Sequence, residues 1–224
     1  MRADFQTAGR GRHARSWEGA AGANLAASFA LGGAGLAPGR LFALSQSVAL
    51  VVRDLVEALT GVRDARVKWP NDVYADGRKV AGLLLESTLQ SDGVAYVVAG
   101  IGLNVNQTDF LHAPHATSLS LLAGAPYDVA RVWERLALDL QAGCGRLREL
   151  VGRGDLYPLQ RDYHAHLYGL GELSRYRLAA SGTGFAARLL GVAPDGRLRL
   201  ERDGEEATYT LGEVRWERLV AAVS

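Results

Sequence analysis

Cysteine occurs once in these 224 residues, at Cys144, so no internal disulfide can form and a reducing compartment such as the cytoplasm is expected. No apolar run approaches the ~20 residues needed to cross a bilayer. The chain does not open with a basic region followed by an apolar one, so a secretory signal is not expected either. A charge of one sign is missing too. With 25 basic and 24 acidic side chains the net charge is +1, which gives no bulk attraction toward nucleic acid. Lysine is nearly absent: Lys68 and Lys79 are the two lysines among the 25 basic residues, and arginine supplies the rest. Both fall beside Trp69-Pro70-Asn71-Asp72. One reading is compositional drift. The sharper one is that at least one position needs a compact ammonium, which a guanidinium cannot replace at a crowded phosphate or carboxylate.

What remains is ordinary globular composition, 48% hydrophobic and 22% charged. The first 22 residues read as Arg/Gly/Ala-rich loop. Asn24–Leu31 reads as a short buried strand. Leu41, Leu44, Val48, Leu55 and Leu59 recur at helical spacing, predicting an amphipathic helix over Arg40–Leu59 stopped by Gly61. Arg66–Trp69 is a strand halted by Pro70. Asp76-Gly77 marks a hairpin turn into a strand over Val80–Ser87. Asp92-Gly93 marks the next turn, into Val94–Leu103. Asp128 can cap a helix running to about Leu150, with Val129, Val132, Leu136 and Leu140 as its apolar stripe. Beyond Gly171 the texture becomes short strands and turns: Phe185–Val192, Arg197–Arg202 and Thr208–Leu211, with Pro194-Asp195-Gly196 and Asp203-Gly204 between them. The expected division is therefore residues 1–172 and 173–224, an α+β body followed by a small antiparallel barrel.

Three segments carry chemistry. In Gln6-Thr-Ala-Gly-Arg-Gly-Arg-His-Ala-Arg-Ser-Trp17, glycines allow backbone amides to approach an anion and arginine forks can bind phosphate or carboxylate. Such a tract also suits RNA. In Val67–Tyr74 and Arg78–Glu86, Asp72 follows a strand and Lys79 sits at the mouth of another. A lysine there can neutralise a carboxylate and a phosphate being joined, and Gly82 would let a planar ligand lie on the strand. In Ala99-Gly-Ile-Gly-Leu-Asn-Val-Asn106, Gly100 and Gly102 suggest close approach by a ligand, or a bulged strand. Asn104 can recognise a purine or ribose edge. Cys144 reads as a packing residue. His112/His115 and His164/His166 read as surface or loop histidines, so no metal site is expected. Tyr157, Tyr163 and Tyr168 read as packing near the boundary.

Gln-Thr-Ala-Gly-Arg-Gly-Arg…Trp, Lys-Trp-Pro-Asn-Asp, Lys-Val-Ala-Gly and Gly-Ile-Gly-Leu-Asn-Val-Asn, in this order, resemble the biotin–[acetyl-CoA-carboxylase] ligases over nearly the whole chain. The resemblance implies a catalytic domain like that of class II aminoacyl-tRNA synthetases, a mixed sheet backed by helices, followed by a small SH3-like domain. It implies ATP, Mg²⁺ and biotin, a biotinyl-5′-adenylate, and transfer to a lysine of a biotin carboxyl carrier domain. The rival readings are a lipoate- or octanoyl-transferring relative and a non-catalytic biotin-binding module. By position, Arg12, Lys79 and Asp72 would be catalytic. Gln6, Gly9, Arg10, Gly11, Arg12, Arg15, Trp17, Lys79, Gly82, Gly100 and Gly102 would hold biotin or the adenylate, and Asn24 and Asn104 would lie on the nucleotide side. Family members are often homodimers through a sheet edge. Some carry a DNA-binding domain, for which this chain has no room, so no nucleic-acid binding is expected. Only five residues precede Gln6, where members usually carry a strand, a helix and a Ser-Thr-Asn motif. The expectation is that Met1 is an internal start and the natural protein is longer.

Overall fold

The structure is a computed structural model and describes residues 1–4, 6, 9, 17, 19–32, 36–90, 93–111 and 113–219. Its elements in chain order are β1 (Arg2–Ala3), β2 (Leu25–Gly32), α1 (Phe42–Thr60), β3 (Arg66–Lys68), β4 (Asp72–Ala75), β5 (Arg78–Gln90), β6 (Gly93–Leu103), α2 (Leu119–Ala123), α3 (Val129–Gly152), α4 (Tyr157–Ala165), β7 (Leu173–Leu178), β8 (Gly184–Val192), β9 (Leu198–Arg202), β10 (Glu205–Tyr209) and β11 (Val214–Leu219). The first six strands form one sheet in the order β1-β2-β6-β5-β4-β3, and the last five form a second in the order β10-β9-β8-β7-β11. The expected mixed sheet is corrected: every strand pairing is antiparallel. Parallel pairing is confined to isolated bridges such as Val67 with Leu167 and Lys79 with Ala116. Among the described residues no helix is long and apolar enough to cross a membrane.

Turn chemistry sets the registers. Asp76 and Gly77 have φ of 51° and 67°, the left-handed pair that a two-residue hairpin needs, so Ala75 faces Arg78 directly. Asp203 and Gly204 repeat the device at 55° and 82°, pairing Arg202 with Glu205. That tight turn is why β10 starts at Glu205 and ends at Tyr209, rather than spanning Thr208–Leu211. The Asp92-Gly93 turn falls partly outside the described residues, but β6 begins at Gly93.

Helix α1 is not amphipathic in the expected sense. Gln46, Ser47, Ala49, Leu50 and Val51 are buried together with the predicted Leu44, Val48 and Leu55. The helix lies between the large sheet and α3, with α4 also against it, so several faces lose water at once. Gly143 permits the close approach of α3: a Cβ there would meet Val51 Cγ2 at 2.6 Å. On α3 the predicted stripe holds at Val132, Leu136 and Leu140 and continues to Leu147, all at most 3% exposed. Asp128 caps the helix by accepting from the Ala130 and Arg131 amides.

The two sheets meet through side chains. The Trp69 indole Nε1–H donates to the Gly196 carbonyl at 2.9 Å. Gly196 has φ of 94°, and a Cβ on it would meet the Phe42 ring at 2.8 Å. Tyr163 is fully buried and packs edge-on against Phe42, while Tyr168 contacts Tyr74 and Trp216. Tyr157 is 66% exposed and does no such packing. His164 is half-buried rather than a surface residue; its Nε2 accepts from the Val192 N–H at 2.9 Å and ties α4 to β8. Cys144 is half-buried against the core, and burial pushes its thiol pKa up, as a packing role requires.

Candidate active site

A cavity of about 510 Å³ opens on the face of the large sheet opposite α1, within the range usual for small-molecule sites. Its floor follows from strand register. Ala26 of β2 faces Gly102 of β6, Gly102 faces Gly82 of β5, and Gly82 faces Asp72 of β4. Three small residues in a row leave a trough across the strands, closed at one end by a carboxylate. The next row, Ser28, Gly100 and Leu84, continues the floor.

Lys79 reaches this face because β5 carries a bulge. Val73 pairs with Ala81 but Tyr74 pairs with Lys79, so Val80 is an extra residue. Strict alternation counted back from Gly82 would send Lys79 toward the helix layer. The bulge instead buries Val80 and Ala81 side by side and turns Lys79 into the cavity. Its backbone is pinned on both sides, donating to the His115 carbonyl at 2.9 Å and accepting from the Thr117 amide at 2.8 Å. The ammonium then meets Asp72 Oδ1 at 2.7 Å. Asn71 holds the other end of the hairpin: its side-chain amide donates to the Leu83 carbonyl, and its own carbonyl accepts from the Leu83 N–H at 2.8 Å.

Trp17 lies in the trough. A Cβ built on Gly102 would fall 2.5 Å from indole Cε2, and one on Gly82 would fall 3.0 Å from Cζ3. The Lys79 ammonium is 5.7 Å from the ring centroid. The Trp17 backbone N–H donates to the Gly9 carbonyl at 2.9 Å. Gln6 also lines the cavity. The trough therefore accepts a flat ring, that of Trp17, over two glycines and beside an ammonium.

The predicted set divides three ways. Gln6, Trp17, Asp72, Lys79, Gly82, Gly100 and Gly102 converge on the cavity, with Gly9 joined to Trp17. Arg10, Gly11, Arg12 and Arg15 lie outside the described residues, as does His112. Asn24 and Asn104 are the correction. Both are buried and do not line the cavity, and protein groups already engage their amides. Asn24 Oδ1 accepts from the Val105 N–H and its Nδ2 donates to Gln107 Oε1, while Asn104 Nδ2 donates to the Thr117 carbonyl. Such residues fasten loops whose backbone groups would otherwise go unpaired.

The cavity also recruits residues that were not among the expected contacts. Lys68 lines it, as do Glu86, Arg215 and Trp216, the last two from the second sheet. Burial pushes the Lys68 pKa down, opposed by Asp72 and assisted by Lys79. In the sequence Lys68 was signalled by the scarcity of lysine and by its place at the head of Lys-Trp-Pro-Asn-Asp. Among the described residues no cluster of three or more His, Cys, Asp or Glu side chains could hold a metal ion.

Residues 2–104 match the model of the biotin/lipoate A/B protein ligase family. The chain is 36% identical over 218 residues to the biotin–[acetyl-CoA-carboxylase] ligase of Mycobacterium tuberculosis, covering 95% of this chain and 76% of that protein. It is 34% identical to the bifunctional ligase/repressor BirA of Bacillus subtilis, covering 93% of this chain but 63% of that longer protein. Among solved structures it is similar to the biotin protein ligase of Aquifex aeolicus in complex with biotin and ATP, with a TM-score of 0.78 at 26% identity over 97% of this chain and 88% of that one.

Proposed function

This chain belongs to the biotin/lipoate A/B protein ligase family, and from that premise we propose that it is an ATP-dependent biotin–protein ligase. The observation that carries the reading is the small-residue trough ending in the Lys79–Asp72 pair. Biotin joins a planar ureido ring, cis-fused to a thiolane, to an acidic tail, and the trough suits a compact ring with a carboxylate at one end. The Mycobacterium tuberculosis relative and the Aquifex aeolicus structure, which match over most of this chain, are named for biotin, and Cys144 lies on α3 away from the cavity, so the lipoyl and octanoyl alternative has no support in the site.

In the first half-reaction the biotin carboxylate attacks the α-phosphorus of ATP and pyrophosphate leaves. Two anions must approach, and an ammonium beside them lowers that barrier most in the transition state. Lys79 is the cation for this work, with Arg12 as its partner from the Arg10–Arg15 loop and Arg15 toward pyrophosphate. Gln6, Gly9, Arg10, Gly11 and Trp17 would hold biotin and the adenylate from one side, and Gly82, Gly100 and Gly102 from the sheet. Lys79 would turn part or all of its three donors from Asp72 toward a ligand oxygen. Asp72 is then available to receive a proton from the incoming lysine, whose neutral amine attacks the acyl carbonyl and expels AMP. Mg²⁺ would enter with the nucleotide and offset phosphate charge. Asn24 and Asn104 are proposed only as supports of the nucleotide side, acting through the loops they fasten.

Residues 1–172 form a catalytic domain of the class II synthetase type and 173–224 an SH3-like one. The acceptor is a biotin carboxyl carrier domain, the location cytoplasmic, and self-association through a sheet edge the expected mode of pairing. Purified protein with biotin, MgATP and labelled pyrophosphate should exchange label into ATP, and Lys79→Ala should slow exchange by roughly a hundredfold or more. Biotin binding without exchange would instead identify a non-catalytic binding module.

A further inference from the structure

The Lys68 ammonium sits inside three aromatic rings drawn from three parts of the chain. Its Nζ is 4.8 Å from the centroid of Tyr74 on β4, 5.7 Å from Tyr168 between α4 and β7, and 5.2 Å from Trp216 on β11. The rings also touch one another, Tyr74 to Tyr168 at 5.2 Å and Tyr168 to Trp216 at 5.7 Å. Each face attracts the cation, and rings packed together leave it little freedom. Lys68 is also the cross-strand partner of Asp72. Asp72 therefore stands between the chain's two lysines: Lys79 bonded at 2.7 Å, and Lys68 held from the side by the rings.

These two lysines differ in freedom. Lys79 extends over the trough, where a ligand can draw it away. Lys68 cannot follow, because three rings fix it. We propose that Lys68 is a positioning residue: a caged ammonium that remains as the counter-ion of Asp72 when Lys79 turns to the ligand. Without it, release of Lys79 would strand a half-buried carboxylate, and Asp72 would pull Lys79 back. Arginine fills nearly every other cationic position in this chain, so a lysine here agrees with a need for a compact charge. Because Trp216 belongs to the second sheet, that sheet helps set the charge balance of the site. The inference rests on the ligase reading for its kinetic consequence, but the cage itself does not.

Two measurements test it. Lys68→Met keeps an apolar stem in the cage and deletes the charge, while Lys68→Arg keeps the charge. Lys68→Met should lower kcat of pyrophosphate exchange on the order of tenfold to hundredfold, as misplacement of a reacting group does. The KM for biotin should stay within about threefold, since the trough is untouched. Lys68→Arg should recover most of the loss. In an Asp72→Asn background the Lys68→Met effect should shrink to about twofold or less, because the two act as one unit. Wild-type kcat in Lys68→Met, a loss matched by the unfolded fraction, no recovery in Lys68→Arg, or an undiminished effect in Asp72→Asn would each overturn the proposal. Separately, NMR of lysine-labelled protein gives only two sets of side-chain signals. One ε-methylene should lie upfield under the ring currents and shift in Asp72→Asn, and two solvent-like signals would remove the cage. A wild-type protein that lacks exchange would sink the ligase reading while the NMR result still decides the cage.

Discussion

Gly102→Ala puts the trough to its most direct test. The added methyl would fall 2.5, 2.6 and 2.8 Å from three indole carbons of Trp17. Carbon atoms rest at about 3.5–4.0 Å, so the ring must retreat by about 1 Å. Trp17 can do so, because it sits on a loop above the sheet, and fold stability should change little. A ligand lying in the same trough cannot, because the sheet is its floor. Overpacking costs about 1–3 kcal/mol, which corresponds to roughly a tenfold to hundredfold rise in the Kd for biotin. The neighbours supply internal standards. At Gly82 the nearest atoms are at 3.0 Å on Trp17 and 3.3 Å on Lys79 Nζ, so the effect should be smaller. At Gly100 the nearest is the Leu84 carbonyl oxygen at 3.4 Å, so the fold itself should tolerate Ala. Calorimetric titration with biotin and thermal melts of the three variants give the ranking. Biotin affinity unchanged in Gly102→Ala would refute the trough as the ligand's seat.

Two glycines on α3 should respond with opposite sign. Gly143→Ala drives a methyl to 2.6 Å from Val51 and should destabilise, its overpacking of about 1–3 kcal/mol exceeding the gain in helix propensity. Gly145→Ala meets nothing within 4 Å and should stabilise by about 0.8–1 kcal/mol, both read by denaturant titration. Trp69→Phe removes the indole donor to Gly196 and should lower stability by about 1–2 kcal/mol, with the second sheet exchanging its amide protons faster than the first. His164 has its pKa lowered by burial, with the Val192 backbone opposing and Arg199 assisting. A histidine whose pKa is lowered on folding binds fewer protons when folded, so its stabilising share is complete above about pH 6.5 and is lost as pH falls below that value. Unfolding midpoints at pH 7.5 and 5.5 should therefore differ more in the wild type than in His164→Gln, and a larger acid sensitivity in the variant would contradict this.

Much of the fold was legible because turns and caps are local. Asp76-Gly77 and Asp203-Gly204 adopt the left-handed conformations their types favour, and Asp128 caps α3. Strands β7 and β11 carry no clean apolar signature, because Arg175 and Arg177 flank Tyr176 and Arg215 precedes Trp216, and those arginines face water. In Lys-Trp-Pro-Asn-Asp and Lys-Val-Ala-Gly, the residues by themselves marked the candidate chemistry: Asp72, Gly82 and both of the chain's lysines, close in sequence. Tertiary structure decided which face each group would meet. A single bulge at Val80 turns Lys79 into the cavity, and no periodicity foretells it, because the extra residue is defined only against the partner strand. Asn24 and Asn104 looked like ligand contacts but became loop fasteners, since nearby backbone groups needed partners once buried. Lys68 acquired its cage from Tyr168 and Trp216, which lie 100 and more residues away along the chain. Sequence specifies which charges exist, but their neighbours, and so their work, depend on contacts that form only when distant strands pair and the two sheets close on one another.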